Sequence, residues 1–262
     1  MVYRWSRPAF WAVAAGILGG VFLAGLAGSA DTPASIGAFG PGERLIFELK
    51  WTIIPAGEAV LEVLPAETSP AGAIGAYHFL LTARSNAFVD AFFRVRDRID
   101  AWSDSDMQRS LRYRQEQLEG NTRRDVTVTF DWETMTARYH NRGHAREPIP
   151  IADGTLDPLS VFYWSRTTDL AVGVRIERPV TDGKKLILGY ADVVRRERVT
   201  VPAGTFDTFL IEPDLEQVGG VFEKSPEARI QVWVTADQRK VPVKLKSRVI
   251  VGSFSGELIH LE

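Results

Sequence analysis

Residues 156–170, LDPLSVFYWSRTTDL, predict a helix in a chain that otherwise has the pattern of β-strands. Asp157 is a residue type that commonly caps a helix N-terminus, and Pro158 fits the first helical position. Helical spacing then relates four residues: Leu159, Phe162, Tyr163 and Arg166. A single apolar helix must bury its surface, so we expect it either to plug one end of a barrel or to lie inside a curved sheet.

Runs in which apolar and polar residues alternate, the pattern of half-buried strands, dominate the rest of the chain. Residues 45–51 read LIFELKW, residues 94–102 read RVRDRIDAW, and similar runs recur to the end of the chain. About a dozen strands at short, regular spacing are typical of a β-barrel or a β-sandwich. No linker is long enough to divide this region, so residues 41–262 are predicted to form a single domain.

Turn residues separate the predicted strands. Asp182-Gly183 is the strongest hairpin signal, and the return strand predicted over residues 184–201 is long enough to bend or bulge. Pro-Ala-Gly at residues 55–57 and again at 202–204 predicts two further turns. Residues 131–134, DWET, predict the turn of another hairpin.

These elements predict an all-β fold. We expect a curved antiparallel sheet, or half-barrel, of about a dozen strands, with the 157–170 helix packed against its concave face. The segment NAFVDAFF, residues 86–93, interrupts the strand pattern and predicts one or two helical turns, with Asn86 as N-cap.

The first 30 residues have the pattern of an export signal. Arg4 and Arg7 precede an uninterrupted apolar stretch at residues 9–27, and small residues follow it. This order is typical of a cleaved signal peptide, so residues 1–30 are predicted as the signal and 31–40 as a flexible leader. An uncleaved N-terminal anchor is the alternative, because an apolar stretch of about 20 residues can span a bilayer. Both interpretations send the domain to the same compartment, which is the periplasm if the source is a Gram-negative bacterium.

Composition excludes several classes of protein. Hydrophobic residues make up 45% of the 262 residues and charged residues 24%, which excludes intrinsic disorder of the whole chain. A formal net charge of -2 gives no bulk attraction to nucleic acid, so no nucleic-acid partner is expected. The chain contains no cysteine, which excludes disulfides, thiol catalysis and a lipid-modified N-terminal cysteine.

Motifs that resemble catalytic or metal sites are incomplete. His140 and His144 are four residues apart, but they follow a predicted hairpin, where the two rings need not share a face. The run GSFSG at residues 252–256 has Phe, not Ser, at the centre of a nucleophile elbow, and no helix pattern follows it. An acidic cluster lacks the glycine and glutamate of a calcium loop, and we interpret it as a strand edge or turn. Its members are Asp97, Asp100, Asp104 and Asp106. We predict no catalytic residue, no metal and no cofactor.

Aromatic residues concentrate in the two helical segments, where either core packing or a lipid pocket would explain them. Side chains nearly fill an eight-stranded barrel, but about twelve strands around one helix could leave an apolar groove, which would suit an apolar ligand. Arg94, Arg96 and Arg98 would project from one face of a regular strand. They would form either a solvated face that discourages edge pairing or a cationic rim for anionic headgroups or glycans. The residues predicted to bind ligand are Trp51, Phe92, Phe93, Phe162, Tyr163, Arg94 and Arg96.

Six segments stand out by their order and spacing: FGPGERLIFELKW at 39–51, IPAGEA at 54–59, LDPLS at 156–160, VPAGTFDTF at 201–209, IQVWVTAD at 230–237 and GSFSGEL at 252–258. In this combination the chain, over residues 40–261, resembles an exported bacterial family known as domain of unknown function 3108. The resemblance implies a curved antiparallel sheet wrapped around a helix. That outline is similar to the periplasmic lipoprotein carriers that hold acyl chains in an open half-barrel. The resemblance implies no activity and no catalytic residue.

The sequence therefore predicts a non-enzymatic periplasmic envelope protein that binds a lipid or another amphipathic ligand, such as a lipoprotein acyl chain. An apolar chain would be buried reversibly between the sheet and the aromatic helix, with arginines meeting the headgroup. One alternative is an assembly factor that acts on an envelope protein partner through strand edges and the loop 214–229. A carboxylate-dependent glycan hydrolase is a further alternative, which no motif supports. Membrane contact is expected only through the N-terminal segment or transiently.

Overall fold

The computed structural model describes residues 37–65, 72, 75–214, 229–249 and 252–262. The predicted signal peptide or anchor at residues 1–30 lies outside the described residues. So do most of the predicted leader and most of the loop 214–229.

Fifteen strands, counted over the described residues, form one continuous antiparallel sheet. They are β1 (Arg44–Trp51), β2 (Ile54–Leu64), β3 (Tyr77–Ser85), β4 (Val95–Ser103), β5 (Ser110–Glu119), β6 (Thr122–Asp131), β7 (Thr136–Asn141), β8 (His144–Ala145), β9 (Ile149–Pro150), β10 (Arg175–Thr181), β11 (Leu186–Val201), β12 (Gly204–Pro213), β13 (Arg229–Thr235), β14 (Pro242–Val249) and β15 (Gly252–Leu261). Along the sheet the order runs from β10 to β15 and then from β1 to β8, while β9 pairs with β7. The strands β1 and β15 are therefore hydrogen-bonded neighbours in the middle of the sheet.

The sheet is curved so strongly that its two edges approach each other. The β10–β11 turn lies against β6 and β7, because a Cβ added at Gly183 would stand 2.9 Å from a methyl carbon of Val128. The Lys184 ammonium lies 5.1 Å from the ring centroid of Tyr139. Among the described strands those of the two edges do not pair with each other, so the sheet is an open half-barrel. The predicted fold class is confirmed. The structure has more strands than the predicted dozen partly because it includes β8 and β9, which have two residues each.

Most of the predicted turns are confirmed. The chain reverses at Asp182-Gly183 between β10 and β11, and at residues 202–203 between β11 and β12. The hairpin turn predicted at residues 131–134 joins β6 to β7. The long strand β11 carries the expected bulge, between Val193 and Arg195.

The turn predicted at Pro55-Ala56-Gly57 is wrong, because these residues lie inside β2. The chain reverses earlier, at Thr52 and Ile53, and Thr52 takes the left-handed conformation with a φ of 57°. The register between β1 and β2 shifts between Leu49 and Lys50, which pair with Gly57 and Pro55, so Pro55 stands at an irregularity in the ladder. Proline is tolerated there because its missing amide hydrogen leaves no regular ladder bond unmade.

Two helices interrupt the strands in the described part of the chain, and both have the predicted N-caps. In α1 (Ala87–Asp90), the Asn86 side chain accepts a hydrogen bond from the Val89 amide at 3.0 Å. In α2 (Pro158–Ser165), the cap is Asp157.

The helix α2 is shorter than the predicted span of 157–170. The hydroxyls of Thr167 and Thr168 donate to the carbonyls of Trp164 and Ser165, both at 2.8 Å. These bonds satisfy carbonyls of the last turn that a longer helix would have paired with backbone amides. The helix therefore ends after two turns.

Because α2 lies inside the concave face of the sheet, it is buried on both sides, and its apolar side chains are spread around the helix. Leu159 and Tyr163 belong to the larger core cluster, in which the Tyr163 ring stacks on Phe79 with centroids 3.9 Å apart. Val161 belongs to a second cluster, which includes Val180 of β10. The helix thus joins the two halves of the core.

A buried carboxylate holds the N-terminus of α2. Asp157 accepts hydrogen bonds from the amides of Leu159 and Ser160, both at 2.9 Å. It also accepts bonds from the hydroxyls of Ser110 at 2.5 Å and Ser160 at 2.6 Å. Burial raises the pKa of Asp157, and the four donors act against that rise. Because Ser110 begins β5, these bonds fix the helix to the sheet.

A buried ion pair holds the C-terminus of α2. The Arg166 guanidinium is 1% exposed and donates to both oxygens of the Glu43 carboxylate, at 2.6 and 2.9 Å. It also donates to the carbonyls of Ala38 at 2.8 Å and Arg239 at 3.1 Å. One side chain therefore joins the helix to the segment before β1 and to the β13–β14 turn.

The segment that enters α2 also pairs with an edge of the sheet. The Leu156 amide donates to the Pro179 carbonyl at 2.9 Å, and the Thr181 amide donates to the Leu156 carbonyl at 3.0 Å. Part of the β10 edge is therefore occupied within the chain, which leaves less of it free to pair with another molecule.

Replacement Glu43→Gln should lower the free energy of unfolding by about 3–5 kcal/mol, because it leaves the buried Arg166 charge without its counter-ion. The matched control is Asp192→Asn, which breaks the half-exposed Arg175–Asp192 pair and should cost about 1 kcal/mol or less. Urea unfolding of both variants at one pH measures the difference. Equal small losses in the two variants would contradict the anchoring role of the buried pair.

Candidate ligand-binding tip of the sheet

The two ends of the sheet are built differently: α2 closes one, and turns form the other. The residues that hold α2 include Ser110, at the start of β5, and Glu43, just before β1. Both strands run from this end to the opposite one, where α1 and the β5–β6 turn lie. We call that opposite end the tip, and it comprises residues 51–57, 85–97 and 119–124.

Large apolar side chains are exposed at the tip. Ile53 is 84% exposed, Phe92 75%, Phe88 64% and Ile54 42%. The rings of Phe88 and Phe92 meet edge to face, with centroids 5.7 Å apart. We call these four residues the tip patch. The other large hydrophobic side chains exposed in the described residues are spread along the chain: Val172, Val194 and Ile259.

A small apolar cluster supports the tip patch from below. Ala56 and Val95 are buried at its centre, and Trp51, Val89 and Phe93 pack against them. We call these five residues the tip cluster. It is separate from the two clusters that bury α2, so the tip has a packed base of its own.

Hydrogen bonds and a close contact fix α1 on this base. The Asn86 amide group donates to the Pro55 carbonyl at 2.7 Å, which ties the start of α1 to β2. Gly120, with a φ of 58°, lies against the Phe93 ring, and a Cβ added there would stand 2.7 Å from the ring. These contacts fix the backbone that bears the exposed aromatic residues.

Four arginines lie at the tip, and they differ in how they are held. The Arg96 guanidinium donates to both Asp90 carboxylate oxygens, at 3.1 and 2.5 Å, and lowers the pKa of that carboxyl. Arg94 is more exposed and lies 3.7 Å from Asp90. Arg123 and Arg124 are exposed at the start of β6, and no carboxylate in the described residues stands within ion-pair distance of either.

Two carboxyl groups lie on the inner face of the sheet below the tip. Asp97 of β4 and Glu119 of β5 are buried, and Asp97 accepts a hydrogen bond from the Leu118 amide at 3.1 Å. Burial, followed by the neighbouring Glu119 carboxyl, raises the pKa of Asp97 from 3.8 to about 8. Burial also raises the pKa of Glu119.

The interpretation of the acidic cluster as a strand edge or turn is therefore wrong for two of its members. Asp97 and Asp100 lie in β4, which is paired on both sides, and both are buried. Asp100 points to the outer face and receives hydrogen bonds from Arg98 and His78. Asp104 and Asp106 do lie in the turn between β4 and β5, as expected.

The residues predicted to bind ligand fall into two groups at opposite ends of the sheet. Phe162 and Tyr163 lie on α2, and Tyr163 is fully buried against Phe79. The tip holds the other five: Trp51, Phe92, Phe93, Arg94 and Arg96.

Sequence reasoning did not select Ile53, Ile54, Arg123 or Arg124 for the site. The signal for the first two was available, because adjacent isoleucines at a reversal of the chain are unusual where polar residues and glycine prevail. It was obscured because the turn was placed at Pro55-Ala56-Gly57. Arg123 and Arg124 carry no such signal, since their nearness to the tip depends on the pairing of β5 with β6.

The other motifs do not form a recognisable centre. His140 and His144 flank the β7–β8 turn, and the run at 252–256 is part of β15, without the strand-to-helix turn of a nucleophile elbow. Within the described residues there is no group of three or more potential metal ligands. None of the helices in that part of the chain has the length and apolar character to cross a membrane.

The chain belongs to a family of proteins of unknown function, DUF3108, whose model matches residues 46–259. The resemblance found in the sequence is thereby confirmed. No curated protein shows a significant match to the chain.

A solved structure from Brucella abortus shows a related fold. The chain is similar to a beta-barrel-like protein of the domain of unknown function DUF1849 from Brucella abortus, with 10% identity and a TM-score of 0.53. That alignment covers 84% of this chain and 96% of the other. A protein with a YmcC-like fold from Bacteroides fragilis aligns with 11% identity and a TM-score of 0.31, over 92% of this chain and 99% of the other.

The carboxyl pair predicts a fall in stability with rising pH. Asp97 ionises near its ordinary pKa of 3.8 in the unfolded chain and near 8 in the folded protein, so the folded state binds more protons between these values. The free energy of unfolding should therefore decrease as the pH rises through this interval. Asp97→Asn removes the ionisation and keeps an acceptor for the Leu118 amide. It should weaken the pH dependence and make the protein more stable than the wild type at alkaline pH.

Urea unfolding from about pH 5 to about pH 9 measures this effect. The control is Asp106→Asn, which changes an exposed carboxylate in the β4–β5 turn and should keep the wild-type profile. An Asp97→Asn profile parallel to that of the wild type would show that Asp97 does not hold the extra proton.

Proposed function

We propose that this protein is a non-enzymatic protein of the bacterial envelope that binds or handles a lipid or another amphipathic molecule through its tip. The tip patch carries the proposal. Four large apolar side chains gathered at one end of the sheet are typical of an interaction site, whereas isolated exposed hydrophobic residues are ordinary.

The packing of α2 moves the proposed contact away from the helix. Tyr163 and Leu159 are fully buried in the larger core cluster, so an apolar chain between helix and sheet would have to displace core side chains. The tip patch needs no such displacement, because its side chains already face solvent. We therefore assign the apolar contact to Phe92, with Trp51 and Phe93 as the base beneath it.

The arginines supply the polar half of an amphipathic site. Arg94 is exposed beside Phe92 and can meet a phosphate or carboxylate headgroup. Arg96 is held by Asp90 and by the Ser85 carbonyl, so in this proposal it positions Asp90 and the end of α1.

The envelope location rests on the N-terminal sequence. A basic start, an apolar stretch and small residues are the features of an export signal, and an anchor would deliver the domain to the same compartment. We propose the periplasm as the compartment. An envelope protein partner that covers the tip patch is the second candidate, because an exposed apolar patch also fits a protein interface.

Native mass spectrometry tests the proposal on protein purified from the envelope without strong detergent, followed by solvent extraction and lipid analysis. We expect a stoichiometric adduct that is recovered as a defined lipid. Phe92→Ser should raise the dissociation constant for the recovered lipid about tenfold and lower the occupancy of the adduct, since it removes one aromatic ring from the contact.

The control variant is Val172→Ser, which changes an exposed apolar residue away from the tip and should keep the adduct. A bare mass from folded wild-type protein would contradict lipid carriage. In that case cross-linking in cells that recovers a protein at the tip would favour the second candidate.

A further inference from the structure

We propose that the tip docks on the surface of an anionic phospholipid bilayer, with the tip patch in the interfacial layer and Arg94, Arg123 and Arg124 against the lipid phosphates. This inference rests on the proposed function of the tip and names the surface from which a lipid would be taken or to which it would be given.

The apolar side chains of the tip come from two elements that are held together. Asn86, which begins α1, bonds to the Pro55 carbonyl of β2, so α1 and the β1–β2 turn stand side by side. Ile53 projects from the turn, and Phe88 and Phe92 project from α1 and the residues that follow it. Aromatic and aliphatic side chains together are typical of protein segments that lie in the interfacial region of a bilayer.

Charge selects an anionic surface. Arg94, Arg123 and Arg124 are exposed at the tip, and Arg94 shares its nearest carboxylate, Asp90, with Arg96. The tip as defined contains four arginines against three carboxyl groups, those of Asp90, Asp97 and Glu119, and burial raises the pKa of the last two. The tip is therefore cationic although the whole chain has a formal net charge of -2. Arginines next to an anionic membrane are attracted to its phosphates.

Contacts within the protein fix the backbone of the tip before docking. The Thr52 amide donates to the Ser253 carbonyl at 2.7 Å, which ties the β1–β2 turn to β15. Phe93 packs against the buried centre of the tip cluster, Ala56 and Val95, and its ring lies against Gly120. Because these contacts already fix the backbone of the tip, docking would order few additional groups, which lowers its entropic cost.

Co-flotation of the full exported domain with vesicles tests the docking. The probes are vesicles of phosphatidylcholine alone and vesicles that also contain phosphatidylglycerol. We expect binding to the anionic vesicles, weakened by salt, and much weaker binding to the zwitterionic ones. Arg123→Gln together with Arg124→Gln should weaken binding on the order of 25-fold, from about fivefold for each arginine.

The control for charge is Arg138→Gln with Arg198→Gln, which removes two exposed arginines on other strands and should leave binding close to that of the wild type. Phe88→Ser with Phe92→Ser should weaken binding on the order of 100-fold. Thermal unfolding of each variant shows whether the fold is kept.

Equal binding of the tip and control variants would overturn the docking, and so would an absence of binding to anionic vesicles. If the protein carries a lipid adduct but does not bind vesicles, the docking is refuted and the proposed function remains in place. Vesicle binding that depends on the tip, in protein without an adduct, would support the docking and count against lipid carriage.

Discussion

The structure depends on the burial of α2 inside a curved sheet, which requires polar anchors at both ends of the helix. An eight-residue helix has little stability of its own, so packing and end contacts must hold it. Asp157 provides the N-terminal anchor with Ser110, and Arg166 provides the C-terminal one with Glu43. Buried charged groups such as these are costly unless they are fully paired, and the multiple donors and acceptors around each meet that condition. Through them the helix is joined to β5, to the segment before β1 and to the β13–β14 turn.

This arrangement makes the two ends of the half-barrel unequal. At one end α2 occupies the concave face, and its side chains contribute to both large core clusters. At the other end the turns and α1 are supported by the small tip cluster, and large apolar side chains remain outside. The same all-β architecture therefore has a packed end and an exposed apolar end. In the described part of the chain, the surface features that point to binding belong to the exposed apolar end.

Local patterns were sufficient to predict most of the fold. The alternation of apolar and polar residues predicted the strands, Asp182-Gly183 predicted a hairpin, and Asp157-Pro158 predicted the start of α2. Each of these features acts over a few neighbouring residues. The length of α2 was overestimated, since the threonine hydroxyls that end it compete with the helix in a way that hydrophobic spacing does not show.

For the candidate site, the concentration of aromatic residues pointed to both Tyr163 and Phe92. Only the tertiary structure separates them, because Tyr163 packs on Phe79 and Phe92 is exposed at the tip. The burial of Asp97 was missed for the same reason: its position on the inner face follows from the register of β4 between β3 and β5.

Hydrogen exchange of the purified protein, with and without phosphatidylglycerol-containing vesicles, tests most directly the claim that this protein meets lipid through its tip. The account predicts slower exchange of amides in residues 52–54 and 87–94, with the amides of α2 unchanged. Protection centred on α2 or on the β10 edge would contradict the account, because it would place the contact at the packed end of the sheet.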